Sequence, residues 1–482
     1  MTAQRRYLST SAELSIERLW DIFAEAEARE KLTSWRIGSI YLWPLVRASL
    51  MHAIAEQLGI FEPRPPNAPI PDTVVAPGLM PGSVGFHQSD YAVVPFIRRN
   101  AFREDPFSNF IVKSLEAHGV PPMVIGFGPD DIGSGRPQLE QLDREFVARY
   151  GKWAKLMVAP TLLPGHIAKY NRMIAYVTAS VRDYAVSIGL NPAEIGGAYR
   201  AFPRWLLVQF AAQKMGWKRF FKAAGTKKVF MVNAWKRALI AGAQAAGATV
   251  VEPMHGAISD IHPYLSWPGQ ARVAYHPDEL LEWGAYWGDV AKLPGNVTRK
   301  VIGSPVQITD ALARLDDLAA SGEAHKPKTV FIASQVHASQ TIIDFLIEAA
   351  AANPDYTFTF KQHPQENPIK FGPEIPANLQ LAGPNTNTFD LMSRSEFVLG
   401  VYTTALFEAV ALGAKVGVLA FSGWHHIRGL VERGDATLIN NQADLGKFFT
   451  SSAPACSPSS VAYYYAPPVT AEELWAAIKI DE

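Results

Sequence analysis

Short apolar runs alternate with helix-length segments from residue 328 to residue 449. The runs are rich in Val, Ile, Phe and Thr, which is typical of buried strands. The predicted strands are TVFIAS (329–334), TFTFKQH (357–363), NLQLAG (378–383), EFVLGVY (396–402), KVGVLAF (415–421) and ATLIN (436–440). Predicted helices occupy about 340–351, 387–393, 404–412 and 442–449. Strands joined by helices of this length predict a parallel, Rossmann-like sheet.

A second alternation of the same kind comes earlier, with predicted strands at 91–97, 123–127, 228–232 and 249–252. Residues 135–225 have a mostly helical pattern and predict an insertion, and residues 12–60 carry helix-period apolar positions ahead of a Pro- and Ala-rich segment. We therefore predict an α/β protein with two Rossmann-like domains facing a cleft. The predicted division is 1–80 helical segment and linker, 81–300 first domain with a helical insertion, 301–465 second domain and 466–482 C-terminal helix.

The composition excludes several classes of protein. Lys and Arg together number 45, as do Asp and Glu, so the 482-residue chain has no net charge that would mark it as a nucleic-acid binder. The glycine-rich phosphate motifs of ATPases and dehydrogenases do not occur. The one cysteine, Cys456, excludes an intramolecular disulfide, and no apolar run reaches the roughly 18 residues that a membrane-spanning helix needs. These features predict a cytoplasmic protein.

The tetrapeptide Lys361-Gln362-His363-Pro364 ends a predicted strand, where ligands bind in open α/β sheets. Side chains two residues apart on an extended segment point to the same side, so Lys361 and His363 can together neutralise a phosphate. Pro364 stiffens the exit from the strand. The alternative is a solvated Lys and a structurally bonded His at a strand end.

A second motif joins a strand directly to a helix in Gly400-Val-Tyr-Thr403-Thr404-Ala-Leu-Phe-Glu408. Thr403 and Thr404 lie where a helix N-cap belongs, and the hydroxyls and amides of a first turn favour an anion. Glu408 shares a helix face with Thr404 and can reach hydroxyl groups of the same ligand. The alternative is ordinary helix capping with an exposed Glu.

Together these motifs resemble the donor half of GT-B glycosyltransferases that act on bacterial surface polymers. KQHP and FVLGVYTTALFEAVALGAKVGVL (397–419) are similar to segments of the CDP-glycerol glycerophosphotransferases, the bacterial sialyltransferases and the capsule β-Kdo transferases. The resemblance implies that Lys361, His363, Thr403 and Thr404 contact nucleotide phosphates and that Glu408 holds the ribose. It also implies a nucleotide-sugar donor, CMP- or CDP-linked, as the substrate, with no separate cofactor.

The candidate general base is His255, in Pro253-Met-His255-Gly256, which resembles the His-Gly loop of the glycerophosphotransferase group. A His at a strand end, followed by a flexible Gly, can take the proton from an acceptor hydroxyl near neutral pH. Asp105, which follows the first predicted strand of the first domain, is the second candidate. Asp130 and Asp131 form a third alternative, and ordinary turn chemistry explains that pair as well.

The expected activity is metal-independent, inverting transfer of a sugar from the nucleotide to a carbohydrate or lipid-linked glycan acceptor in surface polysaccharide assembly. No acidic motif has the position that metal-dependent sugar transferases use. Polyol-phosphate transfer, epimerisation of a sugar nucleotide and a non-catalytic carbohydrate- or nucleotide-binding scaffold stay open as alternatives. Residues 12–60 can either contact the inner face of the membrane, as peripheral association would require, or belong to the core, and we favour the core.

Overall fold

The computed structural model describes residues 15–60, 87–95, 105–126, 138–159, 163–199, 203–232, 235–304, 306–335, 338–363, 366, 375–383, 385–451 and 457–480. The predictions for Asp130, Asp131 and Pro364, and Cys456 itself, lie outside the described residues.

Two parallel sheets of six strands each form the framework of the described chain. A short antiparallel pair comes first, namely β1 (Arg36–Ile37) and β2 (Ile40–Tyr41). The first large sheet, which defines the N-lobe, contains β3 (Tyr91–Val94), β4 (Met123–Val124), β5 (Lys228–Met231), β6 (Thr249–Pro253), β7 (Glu279–Glu282) and β8 (Thr298–Val301). The second, which defines the C-lobe, contains β9 (Lys326–Ala333), β10 (Thr357–Lys361), β11 (Leu379–Leu381), β12 (Ser395–Gly400), β13 (Lys415–Leu419) and β14 (Thr437–Ile439).

The strand order of each sheet fixes where a ligand can bind. The C-lobe order, β11-β10-β9-β12-β13-β14, is that of the Rossmann fold, and the N-lobe order, β4-β3-β5-β6-β7-β8, begins as in flavodoxin-like folds. In such sheets ligands bind at the carboxyl ends of the strands, where the order reverses beside the first strand. The predicted α/β class with two Rossmann-like domains is confirmed by the two parallel six-stranded sheets.

Helices cover both sheets, which explains why the strands read as continuous apolar runs. The N-terminal segment and the N-lobe contain α1 (Ile16–Glu30), α2 (Trp43–Gln57), α3 (Asn109–Ala117), α4 (Leu139–Val158), α5 (Pro164–Ala179), α6 (Arg182–Ser187), α7 (Arg204–Ala224), α8 (Arg237–Ala246) and α9 (Ala285–Val290). The remaining helices are α10 (Val306–Ala320), α11 (Ser339–Ala352), α12 (Thr388–Arg394), α13 (Ala405–Ala411), α14 (Arg428–Glu432), α15 (Gln442–Thr450), α16 (Pro458–Tyr464) and α17 (Ala471–Ile478). In the part of the chain that the structure describes, no helix is both long and apolar enough to cross a membrane.

A buried ion pair joins α1 to α2, and its arginine also contacts the N-lobe. Arg47 of α2 binds the Glu27 carboxylate of α1, and both side chains are fully buried. The Arg47 guanidinium also donates to the Pro263 carbonyl at 2.8 Å and lies between the rings of Trp20 and Trp267. The apolar positions of this segment therefore belong to the protein core.

The start of α1 also touches the C-lobe. The Glu17 carboxylate forms an ion pair with Arg428 and lies 3.1 Å from Nε2 of His425. Arg428 in turn pairs with Asp260 of the N-lobe. One guanidinium therefore links the N-terminal helix, the N-lobe and the C-lobe.

The chain returns to the N-lobe at its last helix. The Trp475 ring of α17 stacks on His118, which follows α3, with ring centroids 4.2 Å apart. The Ile480 amide donates to the Tyr91 hydroxyl at 3.1 Å. Before this, the Trp287 indole of α9 donates to the Tyr464 carbonyl of α16 at 2.7 Å. The Tyr464 ring also packs against Phe407 of α13 in the C-lobe, with centroids 5.1 Å apart, so residues 457–480 contact both lobes.

Candidate functional site

His255 lies in the loop that follows β6, at the carboxyl edge of the N-lobe sheet. Its Nδ1 is 3.6 Å from Oε1 of Glu252, a buried residue of β6. The Phe107 ring packs edge-on against the imidazole, with centroids 6.2 Å apart. About a quarter of the His255 side chain is exposed (23%), so the ring is held on two sides and accessible on another.

The His255 loop touches the C-lobe directly. The Ala257 amide donates to the Thr404 hydroxyl at 2.9 Å, across the interface between the lobes. A Cβ added to Gly256 would lie 3.4 Å from the same oxygen. Because two residues span at most about 7 Å, His255 is held close to the loop after β12. The structure thus brings the predicted base and one predicted phosphate ligand to the same place.

Thr403 and Thr404 lie between β12 and α13, beside the point where the C-lobe strand order reverses. The Thr403 hydroxyl accepts a hydrogen bond from the Ala405 amide at 3.3 Å, whereas the Thr404 hydroxyl accepts from Ala257. A hydroxyl that accepts one hydrogen bond still has its own proton to donate. Both side chains can therefore donate to a phosphate oxygen placed at this loop.

A second contact joins the same N-lobe loop to the turn Trp424–Ile427 of the C-lobe. The Ser259 hydroxyl lies 2.9 Å from Nδ1 of His426, and the His426 ring packs near the Tyr402 ring. Burial, together with the nearby His52 and His425, lowers the pKa of His426 to about 3. His426 is therefore neutral at physiological pH and acts as a polar contact of the lobe interface.

Lys361 and His363 lie at the end of β10, which neighbours β9 in the C-lobe sheet. Lys361 donates to the Thr386 carbonyl, and partial burial lowers the pKa of its ammonium. The His363 amide donates to Glu366 at 3.2 Å, and the Ser334 hydroxyl donates to the same carboxylate at 2.7 Å. Because β10 and β12 flank β9, the ends of these two strands are about 10 Å apart. The two predicted phosphate motifs therefore share one edge of the sheet but lie two strands apart.

Glu408 lies on α13, four residues after Thr404, and is half-buried. Burial raises the pKa of its carboxyl group from 4.5 to about 7. The neighbouring Tyr465 hydroxyl is buried, has no hydrogen-bond partner in the described residues, and has its pKa raised by burial and by Glu408. Glu408 is thus less exposed than a surface helix residue and holds its proton more tightly.

A row of aromatic rings runs from His255 to Glu408. Phe107, which contacts His255, stacks on Trp283 with centroids 6.2 Å apart, and Trp283 stacks on Tyr465 at 5.8 Å. Tyr465 is the neighbour of Glu408. These rings form a continuous apolar wall from the predicted base to the predicted ribose ligand.

Asp105 and His262 are held by local hydrogen bonds. The Asp105 carboxylate accepts from the Phe107 amide at 3.0 Å and from the Ser108 hydroxyl, just ahead of α3. His262 Nδ1 accepts from the amides of Tyr264 and Leu265 at 3.3 and 3.2 Å. These contacts favour structural roles for both residues, and His255 stays the preferred base.

Three polar residues of the site were not predicted from the sequence, namely Glu252, Ser334 and Glu366. Glu252 ends the apolar run TVVE at a strand's carboxyl end, three residues before His255, and a charged residue at that position is the signal that could have identified it. Ser334 and Glu366 come together only through the adjacent strands β9 and β10. Among the described side chains, no three His, Cys, Asp or Glu residues are grouped so as to hold a metal ion.

No family model matches the chain, and no curated protein matches it either. Several solved structures are similar in fold. UDP-GlcNAc 2-epimerase from Neisseria meningitidis, solved with UDP-GlcNAc, is 13% identical, with 75% of this chain and 90% of that chain covered and a TM-score of 0.41. The glycosyltransferase SnogD from Streptomyces nogalater is 12% identical, with 81% and 99% covered and a TM-score of 0.39. MurG from Acinetobacter baumannii is 11% identical, with 81% and 99% covered and a TM-score of 0.41.

Proposed function

We propose that this chain is a metal-independent, inverting glycosyltransferase that uses a nucleotide-sugar donor. The observation that supports the proposal most strongly is the hydrogen bond from Ala257 to Thr404, because it joins the His255 loop to the loop of the predicted phosphate ligands. A transferase needs a base and a leaving-group site on opposite sides of one sugar ring, and a contact between the two loops provides that arrangement.

In the proposed reaction His255 removes the proton from an acceptor hydroxyl. Glu252, beside Nδ1, favours the tautomer with its proton on Nδ1 and leaves Nε2 to accept. Their separation of 3.6 Å is slightly longer than a hydrogen bond, and such contacts are often long before the substrate binds. The hydroxyl oxygen forms a bond to the anomeric carbon as the bond from that carbon to the phosphate oxygen breaks, and the nucleotide leaves with the electron pair.

The hydroxyls of Thr403 and Thr404 are placed to donate to the leaving phosphate. Lys361 and His363 add positive charge or donors at the same sheet edge, and Glu408 accepts from the ribose hydroxyls. Fixed donors of this kind stabilise developing negative charge without a metal ion. From the sequence resemblance we further propose a cytidine-linked donor, a carbohydrate or lipid-linked glycan acceptor, a role in surface polysaccharide assembly, and peripheral association with the inner face of the membrane.

Calorimetric titration with CMP, CDP, UDP and GDP, each with and without EDTA, tests the donor site. We expect one nucleotide to bind in the presence of EDTA, and His363→Ala and Thr404→Val each to weaken binding at least about tenfold. Glu348→Gln, on an exposed face of α11, is the control and should bind normally. Absence of binding by all four nucleotides would remove the donor site from the proposal.

Turnover with the sugar donor of that nucleotide tests the base. We expect His255→Ala to reduce kcat by about 10² to 10⁴ while nucleotide affinity stays unchanged. His166→Ala, on α5, is the matched control. Glu252→Gln should lower kcat less and shift its pH profile, since it acts through the imidazole. Full turnover in His255→Ala would assign the base to another residue.

A further inference from the structure

Positive charge is concentrated in one part of this neutral chain. Residues 146–251 contain sixteen Lys and Arg but only two acidic residues, Asp183 and Glu194. This segment contains most of α4 and all of α5, α6, α7 and α8. Three of these cations, Lys227, Lys228 and Lys236, pair with acidic side chains outside the segment. The excess of positive charge therefore lies mainly in α4, α5 and α7, where it attracts anionic partners at short range.

The same helices expose large apolar side chains. Trp153, Leu156 and Met157 of α4 are 64%, 66% and 52% exposed, and Leu163 and Trp205 are 58% and 63% exposed. Single exposed apolar residues are normal on protein surfaces, but several together mark an interaction site. Two exposed Trp residues among lysines are unusual for a surface that contacts only water.

These side chains lie at one end of the helix pair α4 and α7. The Phe146 ring packs against Gly216, where an added Cβ would lie 2.0 Å from it, whereas Ala154 and Val158 share a core cluster with Leu207. The two helices therefore run antiparallel, so the end of α4 lies beside the start of α7. The exposed residues at 153–157, 163 and 205 thus form a single surface, which we call the α4–α7 tip.

An open groove crosses this surface. Trp153, Leu156 and Met157 of α4 and Met215 and Arg219 of α7 line it, and its volume is about 880 Å³. The lining combines apolar side chains with the guanidiniums of Arg149 and Arg219, which suits a molecule with an apolar body and an anionic head. The flanking residues Lys152 and Lys155 alternate with the apolar residues along α4 and are exposed.

We propose that the α4–α7 tip docks the protein on a membrane surface rich in anionic phospholipid. Trp and Leu side chains insert at the boundary between headgroups and acyl chains, while Lys and Arg extend to the lipid phosphates. RNA would also pair with the cations, but it offers no apolar layer for Leu156 and Met157. This inference rests on the peripheral membrane association proposed above and assigns it to the helical insertion, because α1 and α2 bury their apolar faces.

Flotation with vesicles tests the assignment on the full chain. We expect binding to vesicles of phosphatidylcholine with about 30% phosphatidylglycerol at about 50 mM NaCl, and binding at least tenfold weaker to phosphatidylcholine alone. Lys152→Glu with Lys155→Glu should weaken binding to the anionic vesicles by roughly thirtyfold. Trp153→Ala with Leu156→Ser should weaken it about tenfold.

A matched double variant of the C-lobe, Leu381→Ser with Lys447→Glu, changes one exposed apolar and one exposed basic residue and should bind vesicles normally. Unchanged vesicle binding in both tip variants, or no binding by the unmodified protein, would overturn the proposal. The proposal would also be overturned if the protein bound no vesicles but bound a single-stranded oligoribonucleotide tightly, and if the Trp153/Leu156 variant kept that binding. Nucleotide calorimetry on the same variants separates the proposals, because failure of the donor site leaves vesicle binding intact, and failure of the tip leaves nucleotide binding intact.

Discussion

The carboxyl group of Glu408 gives the most quantitative prediction. Burial raises its pKa from 4.5 to about 7, so the folded state favours the protonated form. The free energy of unfolding therefore falls as the pH rises from about 4.5 to about 7, and it stays lower above that range. Glu408→Gln removes the ionisable group and with it this loss.

The size of the effect follows from the pKa. One pH unit corresponds to about 1.4 kcal/mol, so the raised pKa corresponds to at most about 3 kcal/mol above pH 7. Water still reaches part of the half-buried side chain, so we expect Glu408→Gln to stabilise the protein by about 1 to 3 kcal/mol at pH 8. At pH 4, where the carboxyl is protonated in both folded and unfolded chains, the variant should match the unmodified protein.

Thermal unfolding at pH 4 to 8, followed by circular dichroism, measures this difference. We expect the Tm of Glu408→Gln to exceed that of the unmodified protein by about 1 to 3 degrees at pH 8, because the entropy of unfolding a chain of this length is about 1 kcal/mol per kelvin, and by about zero at pH 4. Glu348→Gln, an exposed residue of α11, should show no pH-dependent difference. A constant difference in Tm across the pH range, or a less stable variant at pH 8, would refute the reasoning that burial controls this carboxyl group.

The same substitution that stabilises the fold should weaken nucleotide binding. If the ionised carboxylate accepts the ribose hydroxyls, nucleotide affinity rises with pH through about 7 in the unmodified protein, because binding selects the ionised form. Glu408→Gln should then bind about tenfold more weakly at pH 8 and show a flat pH dependence. Calorimetry at pH 6 and 8 distinguishes the two profiles.

Three further predictions concern the contacts of the N-terminal helices and of the interface between the lobes. Arg47→Ala leaves the buried Glu27 carboxylate without its partner, so urea unfolding should show a loss of about 3 to 5 kcal/mol in the free energy of unfolding. Arg47→Met combined with Glu27→Gln should recover most of that loss. Arg428→Ala removes the link between Glu17 and the N-lobe, so limited proteolysis should cut near the start of α1 faster than in the unmodified protein, and equal rates would show that the link is dispensable. Thr404→Ser keeps the hydroxyl that bridges the lobes and should retain nucleotide binding, so loss of binding in this variant would show that the methyl group, not the hydroxyl, matters.

The C-lobe strands could be predicted because both faces of a parallel sheet are buried, so that runs such as FVLG and KVGVL are apolar throughout. The strand β7 could not be predicted, because its sequence, ELLE, begins and ends with a charged residue. Both glutamates are paired across the sheet, Glu279 with Lys300 at 3.1 Å and Glu282 with Arg299 at 2.8 Å. Long-range partners of this kind leave no local signal in the chain.

Residue types and strand ends predicted the individual members of the site, such as His255 and Thr404. Their proximity could not be predicted, because it depends on how two domains pack across 147 residues of chain between Ala257 and Thr404. The buried environment of Glu408 could not be predicted for a similar reason. Its neighbour Tyr465 comes from a segment that has already left the C-lobe sheet and is crossing to the N-lobe.

The helix α17 has a consequence for the order in which the lobes mature during synthesis. Its Trp475 covers His118 and lies beside Tyr91, two residues of the N-lobe that leave the ribosome more than 350 residues earlier. The surface of the N-lobe around His118 and Tyr91 therefore stays exposed to solvent until the C-lobe has been translated. A single break between residues 301 and 305 therefore cannot separate the lobes into autonomous units. The first fragment would lack α17, which covers part of its surface, and the second fragment would contain that helix.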